Sequence, residues 1–156
     1  MSETILDTTL LSNFAHIQRP ELLQVVLSDA VTTATVLAEL RAGVSLGWVP
    51  RCDWSWLTVV APNDKEQAQA AHYTTVLDAG EAECLAIAKA RGWVFASDDL
   101  AARRLAQHEG VVVSGTLGVL QKLVATHLLT LDEADVCLAI MVSRGYRAPV
   151  KSLSDL

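Results

Sequence analysis

The chain has 156 residues, 51% of them hydrophobic, with a formal charge of -6, a pI near 5.1 and a mean hydropathy of +0.32. That length suits a single domain, 1–156, built on one sizeable core, and the acidic balance excludes a general nucleic-acid coat, whose footprint is basic. The longest run free of Asp, Glu, Lys and Arg is about a dozen residues, short of the roughly 18 needed to span a bilayer, so no membrane association is expected.

In chain order, "MSETILD" lacks the basic and apolar regions of a secretory leader, which makes a cytoplasmic protein the expectation. Its "TIL" reads as a short strand over 4–6, closed by Asp7 before a Thr-rich helix. Pro20 suits the first turn of a helix reaching about Leu27. A strand around Ala30 to Thr32, a Thr33 cap and a helix ending at Gly43 and bearing Glu39 come next. "DWSWLTVVAP" reads as an apolar strand with Trp54 and Trp56 on one face. An exposed Ala/Gln-rich helix, a break at 78–80 and a helix ending at Gly92 follow.

Two strand-to-helix units then appear, "WVFAS" with "DLAARRLAQHEG" and "VVVSG" with "TLGVLQKLVATHL". The last helix is capped by Thr130 and Glu133 at capping-box spacing. Strands alternating with helices in this rhythm predict an α/β fold with a mainly parallel sheet and helices on both faces. Cys52, Cys84 and Cys137 are scattered and form no C-x-x-C pair, which argues against disulfides and zinc. Arg103, Arg104, Arg144, Arg147 and Lys151 are the local concentrations of positive charge, read as solvated helix faces.

In an open parallel sheet, ligands bind beyond the carboxyl ends of the strands. Asp7 ends the first strand, Asp98 and Asp99 the fourth, and Ser114 with Thr116 the fifth. One strand-terminal Asp is ordinarily a helix cap; two such strand ends suggest a site. In "GEAECLAIA", helix geometry sets Glu81 and Glu83 about 200° apart, at roughly 100° per residue. Glu81 falls on the apolar side with Cys84, Leu85 and Ala88, where a carboxylate needs a partner. Glu39 flanks its apolar stripe and by itself reads as solvated. Clustered carboxylates without a Cys or His set suit Mg²⁺ or Mn²⁺. The spacing fits neither a D-x-D phosphatase nor a response-regulator receiver, and His16, His72, His108 and His127 show no metal-ligand spacing.

These residues resemble the PIN-domain ribonucleases, including VapC-like toxins of bacterial toxin–antitoxin pairs. "ILDTTLLSNF" is similar to the opening strand motif, "TATVLAELRAG" to the second-acid helix, and "GEAECLAIAKARGWVFASDD" to the third-acid helix leading into the T-x-D strand end. With "SGTLGVL" added, the set looks most like a poorly characterised branch of predicted nucleic-acid-binding PIN proteins. The resemblance implies a three-layer α/β/α sandwich with a roughly five-stranded central sheet. It carries the site onto Asp7, Glu39, Glu81 and Asp99 as catalytic metal-site acids, with Asp98 as a further candidate metal ligand. Thr9 and Ser97 take the hydroxyl places. The chain offers Ala101, Ala102 and Arg103 where a further acid often follows, so Asp98 either stands in for it or caps the helix that starts at Leu100.

The resemblance further implies Mg²⁺- or Mn²⁺-dependent endonucleolytic cleavage of RNA, a homodimer and an antitoxin protein partner. The alternatives are a non-catalytic PIN-fold module that binds RNA or a protein, and a DNA-directed nuclease of the same fold.

Overall fold

The structure is a computed structural model and describes residues 3–156. Five parallel strands form one sheet: β1 (Thr4–Leu6), β2 (Ala30–Thr33), β3 (Thr58–Val60), β4 (Val94–Ala96) and β5 (Val113–Ser114), ordered β3-β2-β1-β4-β5. The helices between and after them are α1 (Thr8–His16), α2 (Glu21–Val26), α3 (Ala34–Ser45), α4 (Asp64–Tyr73), α5 (Ala79–Arg91), α6 (Leu100–His108), α7 (Thr116–Ala125) and α8 (Leu131–Ser143). A 3-10 turn, Leu153–Asp155, closes the chain.

The strands are short, and what holds the sheet is burial on both sides. Successive side chains of a strand point to opposite faces, yet Ile5 and Leu6 are both fully buried, as are Phe95 and Ala96. Helices therefore cover both faces, as all-parallel sheets require. Only the edges are wetter, with Val59 of β3 about half exposed.

The strand order decides where a ligand can go. From β1 the chain winds outward through β2 to β3, then returns to the other side of β1 for β4 and β5. The winding reverses between β1 and β4, and the crevice outside such a reversal is where open α/β sheets bind ligands. Leu6 pairs with Ala96 at the ends of these two strands. Asp7 follows the one and Ser97-Asp98-Asp99 the other.

Some elements differ from their sequence patterns. The strand expected over "DWSWLTVVAP" is only Thr58–Val60. Asp53 accepts from the Ser55 amide at 2.9 Å and Leu57 donates to the Trp54 carbonyl at 3.0 Å, so a tight turn takes the backbone that a strand would pair. Trp54 and Trp56 share no strand face; their rings stand 6.3 Å apart, tilted by 49°, against the edge of the core. Helix α3 runs through Gly43 to Ser45, and the break expected over 78–80 is confined to Asp78, since α5 already starts at Ala79. The far end of α5 is pinned by Arg91, which makes two 2.9 Å hydrogen bonds to the buried carboxylate of Glu66 on α4. Among the described residues no helix is long and apolar enough to cross a membrane.

Candidate metal centre

Asp7 is the deepest of the candidate acids. It is the N-cap of α1: its Oδ1 accepts from the Leu10 amide at 3.1 Å and from the Thr9 hydroxyl at 2.7 Å. Its Oδ2 is buried and, among the described residues, has no hydrogen-bond partner. Burial pushes Asp7 up to about 7, against the opposing pull of the nearby Ser97 hydroxyl and of the hydrogen bonds from Thr9 and Leu10. A helix N-terminus favours an anion by ~0.3–2 kcal/mol, while a shift of that size corresponds to ~4 kcal/mol, so desolvation wins.

Glu81 sits in the first turn of α5, 6% exposed. Its setting departs from that of two comparable residues. Helices α4 and α8 begin with complete capping boxes, in which Glu66 and Glu133 fold back onto the cap residue's own amide. Asp78 and Glu81 have the same spacing, and Asp78 Oδ1 accepts from the Glu81 amide at 2.9 Å, but Glu81 makes no reciprocal bond to the Asp78 amide. Burial, then the charges of Asp78, Asp99 and Asp7, raise the Glu81 carboxyl well above the usual range. Glu83 accepts from the Thr35 hydroxyl at 3.1 Å and is more exposed than Glu81. The helix-face argument thus separates the two glutamates as the structure does.

The Asp pair divides its tasks. Asp99 is the cap of α6, accepting from the Ala102 amide at 2.9 Å, while its own amide donates to Ser97 Oγ at 3.1 Å. This removes one of the two alternatives for Asp98, that it caps that helix. Asp98 reaches away to the start of α7, where the cap residue, Gly115, has no side chain to offer. Its Oδ1 accepts from the Thr116 amide at 2.8 Å, and its Oδ2 from the Thr116 hydroxyl and, at 2.7 Å, from Asn13 Nδ2. Both oxygens of Asp98 are already engaged, which sets it apart from Asp7. The Asp98 amide donates to Thr9 Oγ1 at 2.9 Å, so one hydroxyl joins the ends of β1 and β4. Arg103 is no solvated helix face. Its Nη1 donates to the Ser97 and Ser114 carbonyls at 2.9 and 2.7 Å, clamping the ends of β4 and β5.

Glu39 is half-buried rather than solvated. It accepts from the Thr8 hydroxyl at 2.5 Å and from the Gly80 amide at 3.2 Å, joining α3 to the starts of α1 and α5. Burial chiefly raises its pKa, with the nearby charge of Asp78 adding to the effect. Sequence reasoning missed Asp78, which lies in a groove of about 750 Å³ together with Asp98, Asp99, Thr8 and Thr9. Its signal was the Asp-x-x-Glu spacing, a capping pattern read as a break.

A family model described as a PIN domain matches residues 3–156. The chain belongs to the PIN-domain family. No curated protein and no solved structure matches it. PIN domains are in general nucleases that use divalent metals, and the rim of this PIN domain can be tested for fit to such an ion. An orphaned, buried carboxylate oxygen among further acids is what a cation would satisfy, and an all-oxygen donor set suits a hard ion. Among the described residues no three His, Cys, Asp or Glu side chains close into a ready-made cage. Mg²⁺ ordinarily binds through one or two carboxylates and keeps several waters, so the residues fit that mode.

The contact between Glu39 and α5 gives a first prediction. A Cβ on Gly80 would fall 2.1 Å from Glu39 Oε1. Alanine is otherwise favoured over glycine in a helix by ~0.5–1 kcal/mol, and a glutamate tip can swing aside. Gly80→Ala is therefore expected to leave thermal stability within about 1 kcal/mol of wild type while displacing Glu39. Calorimetric Mn²⁺ affinity should fall roughly 10-fold, the scale for disturbing groups around a metal; wild-type affinity would remove Glu39 from the centre.

Proposed function

We propose that this PIN domain is a Mg²⁺- or Mn²⁺-dependent endoribonuclease that hydrolyses RNA phosphodiester bonds at the β1–β4 switch point. The observation that carries the reading is Asp7 Oδ2, a buried carboxylate oxygen without a donor, on a residue whose charge reaches Glu81.

Asp7, Glu81 and Asp99 would hold the ion, with Glu39 as a further ligand. When bound, a divalent ion polarises a phosphoryl oxygen and lowers the pKa of its water toward neutrality. The chain's own residues set the stage. Thr9 and the Leu10 amide fix Asp7 through Oδ1 and leave Oδ2 free. Ser97 and the Ala102 amide orient Asp99. Glu81, whose carboxyl is raised by burial and its acidic neighbours, would give up its proton to take the ion.

The test uses one labelled single-stranded RNA and calorimetry. Mn²⁺ should bind wild type and support cleavage, and Asp99→Asn should lose both while keeping its circular dichroism spectrum. Full activity in Asp99→Asn would remove the assignment. No Mn²⁺ binding at millimolar metal, with RNA uncut by wild type, would instead establish a non-catalytic binding module.

A further inference from the structure

The acidic rim leaves an electrostatic problem. A chain of net charge -6 must take up a polyanion beside carboxylates. The groove lined by Asp78 and Asp99 is also lined by Arg144, Tyr146 and Arg147, from the turn that follows α8. Both arginines are exposed, and among the described residues neither guanidinium has a salt bridge or hydrogen bond. Arg103, by contrast, spends its guanidinium on two strand-end carbonyls.

The shape of the turn is set by local contacts. Gly145, at φ +113, takes a backbone conformation that side chains disfavour. Its amide bonds the Val142 carbonyl at 3.1 Å, and the Tyr146 amide bonds the Met141 carbonyl at 3.0 Å, the paired bonds of a Schellman ending. Tyr146 then packs against the core, its phenol raised by burial and by the charge of Asp98. Two unpaired guanidinium groups are thus held on a preformed turn over the groove. That lowers the ordering cost of gripping a ligand, and the planar fork of Arg matches phosphate oxygens.

We propose that Arg144 and Arg147 form a phosphate-binding arm that holds an RNA strand through phosphates flanking the one at the acidic rim. The inference rests on the nuclease reading of the groove, but it makes a separate demand, since the arm must bind a strand whether or not that strand is cut.

The experiment measures fluorescence anisotropy of a labelled single-stranded 12-mer RNA with EDTA present, across a potassium chloride series. The double variant Arg144→Ala/Arg147→Ala should bind roughly 10-fold more weakly, and the slope of log affinity against log salt should drop by about 1.4, for two phosphate contacts at about 0.7 each. The control Arg104→Ala/Lys151→Ala removes the same charge from exposed cations that do not line the groove, and it should keep the wild-type slope. Arg144→Lys/Arg147→Lys should restore most of the slope. Equal losses in the two alanine pairs, or no loss in the first, would overturn the arm. A wild type that binds RNA with this slope yet never cuts it would sink the nuclease reading and keep the arm; cleavage with unchanged binding in Arg144→Ala/Arg147→Ala would do the reverse.

Discussion

Asp7→Asn is expected to abolish metal-dependent RNA cleavage and, in the same protein, to raise the stability of the metal-free fold. The amide keeps the Oδ1 acceptor for the Leu10 amide and the Thr9 hydroxyl, so α1 stays capped. At the Oδ2 position it places an N–H₂ where a bare carboxylate oxygen now has no donor. Cleavage should fall at least roughly 10²–10³-fold, the scale for removing one group that stabilises charge at a reacting centre. Stability at pH 8 should rise by about 2 kcal/mol, less than the ~4 kcal/mol that the Asp7 shift corresponds to, because a buried amide also loses hydration.

The pH dependence follows with a definite sign. The folded pKa of Asp7, about 7, lies above the ordinary 3.8. Between these values the folded state binds more protons than the unfolded chain, so stability falls as pH rises from about 4 to 7. Glu81, also raised, acts in the same sense. Denaturant melts of metal-free wild type should show this decline, Asp7→Asn should lessen it to the part that Glu81 contributes, and Mn²⁺ should restore wild type at pH 8 but not the variant. A wild-type melt that strengthens through this window would remove the account.

The second large effect belongs to the neighbour whose oxygens are both engaged. Asp98→Ala strips a partner from the Thr116 amide, the Thr116 hydroxyl and Asn13 Nδ2, and Asn13 and Thr116 are themselves buried. Asn13 and Thr116 can still pair with each other at 3.3 Å, which limits the loss. Leaving buried donors unpaired costs ~1–3 kcal/mol each, and a total near 3 kcal/mol would lower the melting temperature by roughly 6–12 °C in a chain of this size. Asp99→Ala forfeits one cap bond, ~1 kcal/mol, but should lose Mn²⁺ affinity. Calorimetric melts of the two variants side by side distinguish them, and equal destabilisation would contradict this division of roles.

Much of this arrangement can be read from the chain because it is local. An apolar triplet closed by Asp7, and "VFA" followed by Ser-Asp-Asp, mark the two strand ends that meet at the switch point. The 3.6-residue period alone turns Glu81 inward and Glu83 outward. What decides between Asp98 and Asp99 is not local: Asp98 is claimed by Thr116, 18 positions on, and by Asn13, 85 positions back. Side by side at a strand end, the two aspartates have equal claims until α1 and α7 are in place. Asp78 was passed over because an Asp before a helix is first a turn residue; its spacing sets it beside Glu81, but only the fold brings it into one groove with Asp98 and Asp99. The tryptophan segment misled in the opposite way, since an apolar run has the same composition whether it extends or folds into a turn against the core.

Three of the rim acids, Asp7, Asp78 and Asp99, are also the N-caps of α1, α5 and α6. On the proposed reading the same oxygen chemistry in Asp7 and Asp99 would serve architecture and reaction, one oxygen capping a helix and the other left for a cation. Asparagine caps a helix about as well as aspartate but supplies no negative charge to a cation. A descendant of this chain that gave up hydrolysis for another use could do so with almost no loss of folding stability, by exchanging oxygen for nitrogen at those caps. On that reading, Asn at positions 7 and 99 in a relative would be the mark of a retired nuclease, whereas Ala there would mark a helix that had lost its cap as well.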